Sequence, residues 1–345
     1  MSAAAQLSGR VIDGPQFANW SEKIFRQMRD GGVAVAHVTV AYHENFRDTV
    51  DLIAEWNQRF RQHRKLIGFA GSREEIDAVV ASGRTAIVFG LQNPSPIEAD
   101  LGLVEVLHSL GIRVMQLSYN NQSLLCAGWT ERDDSGLTNM GREVIREMNR
   151  LGMAVDMSHS AERSTLEAIE FSERPITISH ANPFAWKATL RNKSDRVIDA
   201  LAANGGMLGL SLYSGHLCDG PATTLESFCT MAARLAERIG ADRIALGSDL
   251  CQDQPAGVLT WMREGRWKEA TAQDAPFPNQ PDWFRSNLDF ANIRDGLAKA
   301  GFSAEEVEKV MWGNWYDFFG SAFRPAAGDD ASSKASPQPE LRMIG

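Results

Sequence analysis

The sequence predicts an α/β fold, a (β/α)8 TIM barrel of parallel strands in one domain over residues 1–324. Three observations predict it. Eight short β-rich apolar runs recur along the chain, each leading through a loop into a helical pattern. The runs are nearly continuous in apolar residues rather than alternating, as strands covered on both faces should be. No glycine-rich first turn of the dinucleotide-binding kind follows the first run, which counts against the competing doubly wound open sheet.

The first run, "RVIDG" at 10–14, enters an Asp-Gly turn followed by Pro15, Gln16 and Phe17. The amphipathic stretch "SEKIFRQMRDGG" comes next and ends in a glycine pair suited to a helix C-terminus. The second run is "VAVAHVTVAY" at 33–42, the third "TAIVFGLQ" at 85–92 and the fourth "RVMQLSY" at 113–119. The helix "TNMGREVIREMNRLG" opens on a Thr or Asn cap, closes on Gly152 and delivers the fifth run, "MAVDMSH" at 153–159. "ITISHA" at 176–181 is the sixth. "SDRVIDALAANGG" then precedes the seventh, "GMLGLSLY" at 206–213, and "RIALGSD" at 243–249 is the eighth. An irregular insertion of about 250–290, carrying Trp261, Trp267 and Trp283 and several prolines, hangs from the end of the eighth strand. At that place it is expected to overhang the active-site face as a lid or a dimer contact. The stretch 325–345, rich in Pro, Ser, Ala and charge, reads as a disordered tail.

With 345 residues, 43% of them hydrophobic, the chain can bury a large core. Its formal net charge of −9 argues against nucleic acid and anionic membranes as partners. The start, "MSAAAQLSGR", lacks a basic segment followed by an apolar one, so no secretory signal is expected. The four cysteines form no CxxC pair and read as free thiols of a cytoplasmic protein.

In a barrel of this kind the strand C-termini carry the chemistry. Reading off those ends collects Asp13; Tyr42, His43 and Glu44; Gln92 and Asn93; Tyr119, Asn120 and Asn121; Asp156, Ser158 and His159; Ser179, His180 and Asn182; Tyr213 and His216; and Asp249. Burying so many polar groups is costly unless they pair or bind something. His159 and His180 both end a strand as Ser-His on consecutive strands, within reach of one metal ion; the bland alternative is a pair of hydrogen-bonded core histidines. Asp249 is a candidate base or ligand, or else a turn cap. Glu44 is a candidate base, or else a charge at the start of a helix. Asp156 reads as structural support.

At these residues the chain resembles the membrane (renal) dipeptidase family of zinc peptidases. The resemblance lies in "GLTNMGREVIREMNRLGMAVDMSHSAERSTLEAI", "ERPITISHANPFAW", "LRNKSD", "NGGMLGL", "RIALGSD" and the closing "VEKVMWGNWYDFF", in order over roughly residues 9–320. It implies a metal-dependent, amidohydrolase-like barrel with a two-zinc site at the strand ends. His159 and His180 match the histidines of the second zinc, and Asp249 the acid that handles water and the substrate amine. Arg191 matches the arginine that binds the substrate carboxylate; Asn120 and Asn192, beside these residues in the chain, are further candidate substrate contacts. The family's first-strand His-x-Asp falls on Pro15 and Phe17, its bridging Glu on Gln92, and a substrate-contacting His on Tyr119. The expectation is therefore one divalent metal, zinc, on His159 and His180, completed by Gln92, Asp249, Glu44 or water; a metal-free pocket is the alternative.

Three functions compete. The first is a dipeptidase-like hydrolase of a small amide carrying a carboxylate, with Asp249, Glu44 and Tyr119 as catalytic candidates. The second is a lyase, isomerase or other hydrolase of a small carboxylate in the same pocket. The third is a catalytically dead barrel, against which the joint presence of His159, His180, Asp249 and Arg191 counts. A homodimer is expected.

Overall fold

The computed structural model describes residues 9–255, 257–267 and 277–326. Its strands are β1 (Val11–Gln16), β2 (Val33–Ala41), β3 (Ile67–Phe69), β4 (Thr85–Leu91), β5 (Ile112–Gln116), β6 (Ala154–Asp156), β7 (Thr177–Ala181), β8 (Met207–Ser211) and β9 (Ile244–Gly247). All pair in parallel, in the order β1-β2-β4-β5-β6-β7-β8-β9. The eight apolar runs of the sequence are these eight strands. The short β3 pairs with β4 off this path; at three residues it leaves no readable period. Just beyond β1 and β9, Asp249 N donates to Pro15 O at 3.1 Å and Phe17 N to Leu250 O at 3.1 Å. These bonds draw the two edge strands together, so the ring is nearly closed.

Helices alternate with the strands and cover the outside. Those framing the site are α2 (Phe46–Gln62), α5 (Asn139–Leu151), α6 (Glu162–Phe171), α7 (Asp195–Ala203) and α8 (Leu225–Ile239). The sequence signals for their ends hold. The Thr138 side chain accepts from Gly141 N at the start of α5, Gly152 closes it at φ 81°, and Ser194 accepts from Val197 N at the start of α7.

Two apolar layers follow from strand alternation. Outward residues such as Val38, Ile87, Met115, Ile178 and Leu208 pack under the helices. Inward residues at the strand starts, Ile12, Val35, Val88, Val114, Met207 and Ala245, share a cluster with Trp315, Phe318 and Phe319. These aromatics belong to the C-terminal helix (Asn314–Ala322), which plugs the N-terminal mouth of the barrel. Trp315 Nε1 donates to Leu246 O, and Asn314 Nδ2 to Ala241 O and Ile244 O, each at 2.7 Å. With the lower mouth sealed by apolar and aromatic surface, the polar strand ends collect at the opposite mouth.

The insertion contributes the helix Gly257–Glu264 over that mouth. Residues 268–276 of it, and those of the tail past 326, lie outside the described residues. Among the described residues no helix is long and apolar enough to cross a membrane.

Candidate active site

Asp156, at the end of β6, organises the floor. Buried completely, it accepts from Ser158 N and Ser179 N, each at 3.0 Å, from Ser158 Oγ at 2.5 Å, and from Ser179 Oγ. Burial pushes its carboxyl up, against the pull of those bonds. The Asp156 carboxylate therefore ties β6 to β7 and places two Ser-His segments side by side. The register of β7 shifts between Ile178 and Ala181, where Ser179 O turns toward its neighbours. Gly209 and Gly247 make this possible: a Cβ on either would lie 1.8 or 1.9 Å from Ser179 O.

His159 and His180 then face each other, Nε2 to Nε2, at 3.0 Å. Their tautomers follow from their other partners. Asn120 Nδ2 donates to Arg263 O at 2.9 Å, and Asn120 Oδ1 accepts from Trp129 Nε1 at 2.7 Å, so this oxygen is an acceptor for His159 Nδ1 at 2.9 Å. His159 thus carries its hydrogen on Nδ1. Ser179 Oγ gives its hydrogen to Asp156 and accepts from His180 Nδ1 at 2.8 Å. Both Nε2 lone pairs point into the same gap. Burial, together with the Arg191 charge, pushes both imidazoles well below their ordinary pKa, so they stay neutral. Two neutral lone pairs at this separation repel unless a cation lies between them. Two nitrogens bound to one zinc at about 2.0–2.1 Å would stand roughly 3.0–3.4 Å apart.

The two facing imidazoles are the metal-ligating side chains that the strand ends bring together. Among the described residues no group of three or more His, Cys, Asp or Glu could hold a metal. Where a first-strand pair of ligands would stand, Phe17 packs edge-on against Tyr42, ring centroids 4.8 Å apart, and Tyr42 against Tyr119 at 5.2 Å. With Met262 and Cys251 these rings make a largely apolar wall there.

A cavity of about 360 Å³ opens above the pair, lined among others by His159, Tyr119, Asn120, Arg191, Tyr213, His216 and Asp249. Arg191 is buried; its Nη1 donates to Ser158 O at 2.7 Å, while Nε and Nη2 have no partner. Unpaired buried guanidinium donors are expensive, and a carboxylate is their natural complement. Asp249 follows β9 in left-handed backbone conformation, φ 53°. Burial pushes its carboxyl up to about 7, with Arg191 and Gln92 pulling the other way and Asp13 adding to the rise.

The remaining expected site residues divide. Tyr119 stacks on His159 with ring centroids 4.0 Å apart, and burial holds its phenol well above its usual value. Gln92 gives both amide hydrogens away, to Thr39 Oγ1 at 2.7 Å and Tyr42 Oη at 3.1 Å. Asn120 accepts from Trp129 Nε1 and His159 Nδ1 on its oxygen and donates one amide hydrogen to Arg263 O, so it orients His159 while also lining the cavity. Glu44 is turned away: its carboxylate accepts from Tyr42 N at 2.7 Å, and it does not line the cavity. Asn192 is also spent on backbone, accepting from Asn182 N at 3.1 Å and donating to His216 O at 3.1 Å. Two participants carry no readable sequence signal. Trp129 acts through one indole hydrogen bond, and Arg263 arrives on the insertion helix.

The profile of the membrane dipeptidase family, peptidase family M19, matches residues 19–259. The chain belongs to this family. It is 25% identical over 273 residues to dipeptidase tcpJ of Claviceps purpurea, an alignment covering 78% of this chain and 59% of that one. To dipeptidase verJ of Clonostachys rogersoniana it is 28% identical over 214 residues, or 61% and 55% of the two chains. It thus spans less than two thirds of the length of either relative. A crystal structure of an amidohydrolase from Pseudomonas aeruginosa superposes with a TM-score of 0.88 at 31% identity, covering 93% of this chain and 98% of that one. A metallopeptidase from Rhodobacter sphaeroides, liganded with a phosphinate mimic of L-Ala-D-Ala, shares the fold at a TM-score of 0.75 and 18% identity, covering 91% and 99%. This member of the dipeptidase family keeps its polar cluster at the C-terminal mouth of the strands.

Proposed function

We propose that the chain hydrolyses the amide bond of a small dipeptide-like substrate bearing a carboxylate, with one zinc ion held by His159 and His180. The observation that carries this reading is a cavity lined by a carboxyl poised near neutrality, a guanidinium with two open donors and His159, whose Nε2 faces that of His180. When bound, the ion would polarise the scissile carbonyl and acidify water.

The chain's own residues do the rest. Arg191 holds the substrate carboxylate through Nε and Nη2, two parallel donors matched to two oxygens. Asp249, half protonated near pH 7, takes a proton from the attacking water and passes it to the leaving amine. Tyr119 keeps the His159 ring in plane by stacking and stays protonated, so it serves as a donor and not as a base. A space of about 360 Å³ suits a ligand of dipeptide size. The four cysteines are free thiols, which supports a cytoplasmic setting, and the exposed Trp267 and Leu124 give a homodimer apolar surface to bury.

One observation favours a second reading. A pair of histidines without a third protein ligand binds metal weakly, and Asp249 with Arg191 would suffice for a lyase, isomerase or other hydrolase of a small carboxylate. Turnover of a dipeptide and N-acyl amino acid panel, with and without added zinc, separates the two. Zinc-dependent amide hydrolysis supports the first; proton exchange or elimination that zinc does not stimulate supports the second.

A further inference from the structure

A second guanidinium enters the catalytic cavity from the insertion helix. Arg263 lines the same 360 Å³ space as Arg191, and its Nη2 donates to Tyr213 Oη at 2.6 Å. Among the described residues no carboxylate lies within ion-pair distance of it. Its position is fixed by the way its helix docks. His43 Nε2 donates to Met262 O at 2.9 Å, Asn120 Nδ2 to Arg263 O at 2.9 Å, and Asn121 Nδ2 to Glu264 O at 3.5 Å. Three consecutive carbonyls at the helix C-terminus are thus held by the ends of the second and fourth barrel strands. One of the three donors, Asn120, is the residue that orients His159.

Tyr213 completes the arrangement. Burial pushes its phenol up to about 12, so it keeps its hydrogen while its oxygen accepts from Arg263. A ligand at this wall would meet the remaining guanidinium hydrogens and one hydroxyl hydrogen, all donors, across the cavity from the open donors of Arg191. Glu264 also lines the cavity, so negative charge is not welcome everywhere, only where it meets Arg263 and Tyr213.

We propose that Arg263 is a specificity-determining residue that receives a second anionic group, so that the favoured substrates are dipeptide-like amides with an acidic side chain beside the carboxylate held by Arg191. The proposal rests on the reading of Arg191 as carboxylate anchor. Arg263 is exposed as a residue even though it lines the cavity, so its discrimination is screened by solvent and amounts to about tenfold.

The test is equilibrium binding, which needs no turnover. N-acetylaspartate and N-acetylalanine are titrated calorimetrically into the zinc-supplemented full chain, its Arg263→Gln variant and its Tyr213→Phe variant. The wild-type chain is expected to bind N-acetylaspartate about tenfold more tightly, and the ratio to fall to about one in Arg263→Gln. Tyr213→Phe, which keeps the guanidinium, is expected to lower the ratio only in part. The ratio should also shrink in high salt. Wild-type binding of both ligands with equal affinity, or an unchanged ratio in Arg263→Gln, overturns the role of Arg263 and leaves Arg191 as anchor. Absence of binding by either ligand overturns both.

Discussion

Asn120 and Ser179 each hold the hydrogen of one imidazole in the facing pair, His159 and His180, so each of those protons has one place to go. The Asn120 oxygen, fixed by the Trp129 indole, forces the His159 hydrogen onto Nδ1, and Ser179 does the same for His180. Removing the oxygen frees the tautomer. Asn120→Ala is expected to weaken zinc binding about 10–100-fold, measured by competition with a chromogenic chelator. Asp249 makes a second prediction at this scale. Its folded pKa of about 7 lies above the 3.8 ordinary for an aspartate, so folding takes up a proton between those pH values. The stability tied to this group is full below about pH 4 and is lost as the pH rises through 7. Asp249→Asn should therefore raise stability by about 1–3 kcal/mol at pH 8 and much less at pH 4, read from denaturant melts. Asparagine tolerates the left-handed backbone at this position. The same change should abolish turnover. In the wild-type enzyme the basic form of Asp249 is the one that accepts the proton, so activity should climb through an apparent pKa near 7.

At the scale of elements, the site depends on strand ends that deviate from regular pairing. The turn of Ser179 O at the β7 irregularity lets His180 reach His159, and it exists because β8 and β9 carry glycine opposite. Gly209→Ala places a methyl 1.8 Å from that carbonyl and 3.2 Å from the Trp315 ring. It should cost about 2–4 kcal/mol of stability and, at temperatures where the variant remains folded, lower zinc affinity as His180 is displaced. The insertion helix is the other decisive element. It roofs the cavity and brings Arg263, yet nothing in its local sequence distinguishes it from a surface segment. That is why chain order alone leads one to expect an insertion after the eighth strand near the active-site face, while the identity of the residues that the helix Gly257–Glu264 turns inward is not readable.

For the whole molecule, the barrel is legible because eight buried parallel strands must each be a continuous apolar run, and because their ends must be polar if the mouth is a site. His159, Arg191, Asp249 and Tyr119 are readable for that reason and line one cavity, with His180 facing His159 at its floor. Glu44 and Asn192 show where this reasoning stops. Both sit at the right place in the chain, but a short polar side chain can satisfy a backbone group one or two residues away or turn inward, and strand order does not say which. The strand β3 was missed because three residues have no period. Phe17 is informative in the opposite sense: its aromatic side chain at the end of β1 was visible in the sequence as a lost ligand, and the structure gives it partners, Tyr42 and the wall around it. Phe17→Ala should open this wall and cost about 1–3 kcal/mol without creating a second metal site, checked by melting and by metal content.

The central claim is that His159 and His180 together hold a single cation. It is tested most directly by the metal content of the full-length chain after saturation with zinc and gel filtration, measured by inductively coupled plasma mass spectrometry on the wild type and on His159→Ala. One equivalent per chain in the wild type, with none retained by the folded variant, is the predicted result. Two equivalents in the wild type, or undiminished zinc in His159→Ala, would contradict it.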